Sequence, residues 1–182
     1  MQEPDPATIR AAAGGDLAAF EDLVRAYQQH VWRFLRRLVG DATVAEDLAQ
    51  EVFLRVFHRL PTYAFQAKFS TWLFQIARNA GIDELRSRQR RARLLRALPP
   101  APPPGPGAAE ARTEIDAALA ALPADLRETM VLIEVFGLPY AEAAAVMGVA
   151  VGTVKSRMFT ARRRTQAWAA PGEGEGGRGV AR

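Results

Sequence analysis

Two arginine-rich stretches hold the residues best suited to chemistry, and what they offer is recognition of nucleic acid rather than bond breaking. The first is Val149-Ala150-Val151-Gly152-Thr153-Val154-Lys155-Ser156-Arg157, preceded by the small-residue run Tyr140 to Met147 and by Gly148. A short helix closed by glycine, then a second helix after a tight turn, is the grammar of a helix-turn-helix, whose second helix lies in a major groove. On that second helix Val151, Val154, Met158 and Ala161 form the inward stripe, and Thr153, Ser156, Arg157 and Thr160 form an outward polar one. Lys155 and Arg162 fall on an adjoining face, Arg163 and Arg164 continue it, and no acidic residue occurs from Ala143 to Ala170. Contact with duplex DNA is the expected use, although a solvated helix end complementing the helix dipole has the same composition.

The second stretch sets Arg86, Arg88, Arg90, Arg91, Arg93 and Arg96 against Glu84 alone. Just upstream, Gln75, Arg78, Asn79, Asp83 and Arg86 share a polar face opposite a stripe of Trp72, Ile76 and Ala80. The loop before them carries Tyr63, Phe65 and Phe69, with Gln66 and Lys68 among them. Rings beside guanidinium groups suit single-stranded nucleic acid, because bases stack on rings while cations follow phosphates. Trp72 and Phe69 also read as core residues, and the arginine run also reads as a solvated helix end. A third surface, Asp47, Gln50, Glu51, Leu54 and His58, mixes acids with an apolar side chain. That mixture is wrong for DNA and fits either a protein partner or plain solvent.

Catalysis finds little material. There is no cysteine, which removes disulfides, thiolate zinc sites and a thiol nucleophile, and His30 and His58 are the only histidines. A metal-dependent nuclease built on Asp47, Glu51 and Asp83 is the one enzymatic rival, and no histidine or cysteine supports it. No catalytic residue, metal or cofactor is therefore expected. The chain opens without a basic stretch followed by an apolar one, and its longest small-apolar run, about 143–152, is too short to span a bilayer. A cytoplasmic protein without membrane insertion is the expectation.

The elements that position these residues follow from composition. With 49% hydrophobic and 24% charged residues, the 182-residue chain can build globular cores. Its formal charge of +4 is too small by itself to name a nucleic-acid partner, so the placement of charge decides. Only Lys68 and Lys155 are lysines, so the positive charge is almost all arginine. Leu98-Pro99-Pro100-Ala101-Pro102-Pro103-Pro104-Gly105-Pro106-Gly107 cannot be a helix interior and reads as an inter-domain linker reaching roughly 40 Å. The expected division is a domain over 9–96, a linker over 97–110, a second domain over 111–168 and a disordered tail over 169–182; the first few residues are expected to be disordered as well.

Both domains are expected to be helical, giving an all-α chain of two small helical domains. Helical spacing predicts a helix over 16–39 ended by Gly40, and a second from Thr43, capped by a Thr43/Glu46 box, to Leu60-Pro61. A third runs from Ser70 or Thr71 to about Arg91. Beyond the linker, helices are expected over 111–122, 125–136, 140–147 and 151–167.

Ala45-Glu46-Asp47-Leu48-Ala49-Gln50-Glu51-Val52-Phe53-Leu54-Arg55-Val56-Phe57 and Phe69-Ser70-Thr71-Trp72-Leu73-Phe74-Gln75-Ile76-Ala77-Arg78-Asn79 closely resemble region 2 of extracytoplasmic-function (ECF) sigma factors. Leu122-Pro123-Ala124-Asp125-Leu126-Arg127 and Gly152-Thr153-Val154-Lys155-Ser156-Arg157, with Ala161-Arg162, resemble their region 4. The resemblance covers about 9–168 in the family's order. It implies an initiation subunit of bacterial RNA polymerase. The face of Asp47, Gln50, Glu51 and Leu54 would dock on the β′ clamp helices of core polymerase. The segment holding Tyr63, Phe65, Lys68, Gln75, Arg78, Asn79 and Arg86 would capture the melted non-template strand of the −10 element, one base extruded into a loop-built pocket. Region 4, through Thr153, Lys155, Ser156, Arg157 and Arg162, would read the −35 duplex and meet the β flap. An anti-sigma factor is an implied partner. The loop Ala64-Phe65-Gln66-Ala67 lacks the glycine and acidic residues common in the family, and Ile133 and Thr160 stand where well-known members carry arginines. A stand-alone helix-turn-helix regulator is the alternative, and would bind duplex tightly without polymerase.

Overall fold

The computed structural model describes residues 2–96 and 113–169. Its first element corrects the expectation of a disordered start. Asp5 accepts the Ala7 N–H at 2.8 Å and Pro6 sits in the first turn, so α1 spans Pro6–Ala13. Only Ile9 and Ala12 are buried on it, too few residues to leave a periodic signal.

The next helix, α2 (Leu17–Val39), meets the expectation. Asp16 accepts the Ala18 and Ala19 N–H groups at 2.9 and 3.1 Å, and Gly40 ends the helix at φ 76°, a left-handed conformation that glycine adopts without a Cβ penalty. Tyr27, Val31, Phe34, Leu35 and Leu38 follow helical spacing and are all buried. For α3 (Ala42–Arg59) the cap is Asp41, which accepts the Val44 N–H at 3.0 Å; the expected Thr43/Glu46 box is not used. Asp41 follows Gly40 in an extended conformation and reaches N-cap geometry first, leaving Thr43 and Glu46 exposed within the helix.

A short 3-10 turn (Leu60–Thr62) and the loop 63–68 lead into α4 (Phe69–Arg96), which starts earlier and ends later than expected. Ser70 and Thr71 therefore lie buried in the first turn rather than capping it. Phe69 and Leu73 join the core and Trp72 is half-buried against it. Gly81 lets α4 cross α2 closely: a Cβ there would stand 2.6 Å from Leu38 Cδ2.

In the second lobe, α5 (Glu114–Ala120) starts at Thr113, whose hydroxyl accepts the Asp116 N–H at 3.2 Å. The expected single helix over 125–136 divides. After α6 (Ala124–Met130) the backbone widens into a π turn over Val131–Val135, and Phe136 N–H bonds to the Val131 carbonyl at 3.1 Å. Then come α7 (Tyr140–Met147), closed by Gly148 at φ 66°, and α8 (Val151–Ala169). Val154, Met158 and Ala161 are buried as expected, but Val151, in the first turn, is exposed. Ala169, expected in the tail, is still helical; the proline-rich stretch and the rest of the tail lie outside the described residues. No strand occurs among the described residues.

The two lobes pack on each other. The Phe136 ring stands 6.2 Å from Phe34 and 5.3 Å from Phe74, joining the two cores. Arg127 donates from Nη1 to the Leu38 carbonyl at 2.7 Å and from Nη2 to the Ala120 and Leu122 carbonyls at 2.9 and 3.0 Å. Its cation thereby meets the exposed carbonyl end of α2. Meanwhile α7 lies along α4.

Candidate nucleic-acid interface

The loop before α4 is organised by rings. Tyr63 lies 5.1 Å from Trp72, 4.7 Å from Phe65 and 6.0 Å from Phe69, and its hydroxyl donates to the Ala67 carbonyl, closing the loop on itself. Phe69 meets Tyr27 edge-on at 5.5 Å, and the Tyr27 hydroxyl donates to the Gln2 carbonyl at 2.8 Å. Burial, helped by the nearby Glu3 carboxylate, raises the pKa of both Tyr27 and Tyr63, so both remain protonated donors. Tyr63 is thus half-buried framework. Phe65 is different: its φ of 54° is a conformation that non-glycine residues avoid, and the residue is 43% exposed.

From this loop a polar strip continues along α4. Asn79 and Arg86 are exposed, while Gln75 and Arg78 are half-buried. Arg78, Asn79, Asp83 and Arg86 line a cleft of about 250 Å³ together with Arg55 and Arg59 of α3. Sequence reasoning did not nominate Arg55 and Arg59. Their spacing of four residues on α3 was the available signal, but only the α3–α4 packing shows which neighbour they face. The arginine run at the end of α4 is partly internal. Arg88 donates to Glu84 at 2.7 Å and to the Val39 carbonyl at 3.2 Å, and Arg91 shares Glu84 at 3.1 Å.

The second lobe covers part of this strip. Lys68 pairs with Glu142 of α7, and Gln75 Nε2 donates to the Ala145 carbonyl at 2.9 Å. Arg78 donates from Nε to Glu128 Oε1 at 2.7 Å and from Nη2 to Oε2 at 3.4 Å, and its Nη1 reaches Asn79 Oδ1 at 3.3 Å. Glu128 is 1% exposed; burial raises its pKa, opposed first by the Arg78 hydrogen bond. Of the seven residues nominated for the melted strand, Lys68, Gln75 and Arg78 therefore contact the other lobe, while Phe65, Asn79 and Arg86 remain exposed.

On α8, Lys155, Ser156 and Arg162 are exposed, and Thr153 and Arg157 are half-buried. Although α8 carries no acid, the fold brings two from α6 and its π turn. Arg157 Nε lies 3.5 Å from Asp125 Oδ2, and Arg162 donates to Glu134 at 2.6 and 3.0 Å. Phe159, unremarked in the sequence, is exposed with Arg163 5.8 Å over its ring. On α3, Asp47, Gln50, Glu51 and Leu54 share an exposed face, with Arg55 pairing to Glu51 at 2.6 Å. Asp83 lies beside Arg86 at 3.6 Å, and no acidic or histidine cluster among the described residues is arranged to hold a metal ion, so the nuclease reading finds no assembled site there.

A helix-turn-helix lobe packed on a helical lobe that bears a ring cluster and an arginine cleft defines a helical protein with two separate candidate nucleic-acid surfaces. Comparison with known proteins narrows this class. The family described as Sigma-70 region 2 matches residues 23–91 and that described as Sigma-70, region 4 matches residues 112–165. The ECF RNA polymerase sigma factor SigC of Mycobacterium tuberculosis is 39% identical over 88% of this chain and 89% of its own length. The RNA polymerase sigma-H factor of Pseudomonas aeruginosa is 34% identical over 88% of this chain and 91% of its own. Among solved structures, the sigma factor RpoE of Bartonella quintana, in complex with the anti-sigma factor NepR, superposes with TM-score 0.68 at 29% identity, covering 81% of this chain and 94% of that one. CnrH, in complex with the cytosolic domain of CnrY, gives TM-score 0.70 at 28% identity over 90% and 96%. The chain belongs to the ECF RNA polymerase sigma factors, and the stand-alone regulator is not favoured.

Proposed function

We propose that this chain directs core RNA polymerase to promoters and starts transcription there by dividing the work between its lobes. Residues 9–96 bind polymerase and the −10 element, 111–168 read the −35 duplex, and 97–110 tether them. The exposed α3 face of Asp47, Gln50, Glu51 and Leu54 docks on the β′ clamp helices. Thr153, Lys155, Ser156, Arg157 and Arg162 contact −35 DNA, and the same lobe meets the β flap. Tyr63, Phe65, Lys68, Gln75, Arg78, Asn79 and Arg86, joined by Arg55 and Arg59, hold the melted non-template strand. The chain performs no bond chemistry of its own and works in the cytoplasm. No described helix is long and apolar enough to cross a membrane. An anti-sigma factor is the fitting regulator, since RpoE of Bartonella quintana is solved in complex with the anti-sigma factor NepR and CnrH in complex with the cytosolic domain of CnrY.

One observation carries this reading: the loop rings and the α4 polar strip form a continuous surface, and α7 lies across part of it. Because Lys68, Gln75 and Arg78 bind the second lobe, full use of the −10 surface requires α7 to move off α4, whereas the outer face of α8 needs no such movement. Core polymerase, by separating the two lobes along promoter DNA, supplies that opening. Run-off transcription with purified core enzyme tests the proposal. Promoter-dependent transcripts are expected with the wild-type chain, and Lys155→Ala with Arg157→Ala should reduce them. Failure of the chain to bind core polymerase overturns the reading; unchanged transcription in the double variant overturns the −35 assignment.

A further inference from the structure

A helix outside the matched regions reaches into the −10 loop. The region 2 match starts at residue 23, yet α1 is firmly attached through Ile9 and Ala12. The segment leading into it frames the ring cluster: the Gln2 carbonyl accepts the Tyr27 hydroxyl, and the Glu3 carboxylate accepts the Ser70 N–H at 3.4 Å. From α1, the Arg10 guanidinium lies 5.2 Å over the ring of Phe65. Phe65 is the residue held in the disfavoured left-handed conformation, and it is exposed.

We propose that Arg10 is a strand-binding residue of the −10 loop: its guanidinium positions the Phe65 ring and presents N–H donors to the phosphate of the nucleotide unstacked beside it. The inference rests on the reading of this loop as the site of the melted strand. Three observations carry it. A loop that only connected two helices would not need an exposed phenylalanine in a strained conformation, and such strain persists where surrounding contacts determine it. A guanidinium over a ring still has several N–H donors to offer a phosphate, whereas an ammonium is a single compact charge. Finally, Arg25, Arg55, Arg88 and Arg162 each pair with a carboxylate, while Arg10 has none among the described residues. Lys68, the cation within the loop itself, is held by Glu142 while the lobes are docked. Arg10 is thus placed to meet a phosphate before the lobes part.

The test uses holoenzyme assembled from full-length chain and core polymerase. The probe is fork-junction DNA whose single-stranded −10 segment carries 2-aminopurine at successive positions. Arg10→Ala should weaken binding roughly two- to fivefold and flatten the slope of log affinity against log salt by about 0.7, the value for one lost single-strand phosphate contact. It should also reduce the 2-aminopurine signal at one position and leave binding of −35 duplex unchanged. Arg10→Lys should restore the salt slope but not the fluorescence. If Arg10→Ala keeps the wild-type slope, or if the uncharged Arg10→Met restores it, the phosphate contact is refuted and Arg10 is packing only. Failure of the underlying reading looks different: no 2-aminopurine position responds in the wild type, or Phe65→Ala and Asn79→Ala leave the response intact, and the proposal falls with it.

Discussion

Asp41 holds the first turn of α3 through the Val44 N–H, and its carboxylate also lies 3.9 Å from Arg88. Replacing it with alanine leaves an orphan donor at the helix start, a loss of about 1 kcal/mol. Thr43→Ala removes an exposed side chain with no cap to lose, and should shift stability by no more than about 0.5 kcal/mol. Thermal unfolding of the two variants separates them; equal shifts would show that Thr43 shares the cap after all. Residue identity alone favoured Thr43, because a threonine three residues before a glutamate fits the capping box, and nothing in composition reveals that Gly40 sets Asp41 in the capping conformation. Val151 and Ser70 were misplaced for a related reason, since helix ends fall within one or two residues of many workable starts. Where chemistry rather than boundary was at stake the sequence was clearer. Asn79, Lys155 and Leu54 are exposed as their helical spacing indicated, whereas the acids that pair with Arg157 and Arg162 come from elements distant in sequence.

Among the elements, α4 serves both lobes: it packs on α2 and α3 in the first, carries the polar strip and seats α7 of the second. Its crossing with α2 depends on Gly81. An added Cβ would meet Leu38 Cδ2 at 2.6 Å and Leu35 Cδ2 at 3.3 Å, and both leucines are fully buried. Alanine is the better helix former by about 1 kcal/mol, but overpacking a filled core costs about 1–3 kcal/mol. Gly81→Ala should therefore destabilise, by up to about 2 kcal/mol after that offset. Urea unfolding checks the sign, and a stabilised variant would mean that α2 and α4 slide apart easily. The long amphipathic helices were legible because each buries a stripe at every turn. By contrast α1 buries two residues, and the π turn after Met130 records a local packing choice: the widened backbone seats Phe136 against Phe34 and Phe74 of the other lobe. Periodicity within one segment cannot encode a partner that lies outside it.

At the scale of the whole molecule, docking of the lobes lays α7 and Glu128 over part of the polar strip on α4 and leaves the outer face of α8 open. The contact turns on Glu128, faced by Arg78 from α4, by Arg157 from α8 and by Asp125 on its own helix. Glu128→Ala removes the acceptor of both Arg78 hydrogen bonds and weakens docking by about 1 kcal/mol. The free chain should then bind single-stranded −10 DNA roughly fivefold more tightly while its affinity for −35 duplex stays the same. An equal gain on both probes would mean that Glu128 acts on the whole surface and not on α7 alone. Protonation offers an independent check. Burial lifts the Glu128 carboxyl above its ordinary range even against Arg78 and Arg157, and undocking returns it to water, where the ordinary value holds. The docked state therefore takes up a proton more readily than the open one. This contribution favours docking most below the ordinary carboxylate range, fades as pH rises through the lifted value, and stays flat beyond it. Energy transfer between dyes on α3 and α8, followed from about pH 4 to about pH 8, should decline with rising pH in the wild type and stay flat in Glu128→Gln. The amide has no proton to lose and resembles the protonated carboxyl, so the two curves part as pH rises. Parallel curves for the two chains would mean that Glu128 titrates alike in both states, and would remove it as the group through which lobe docking senses protons.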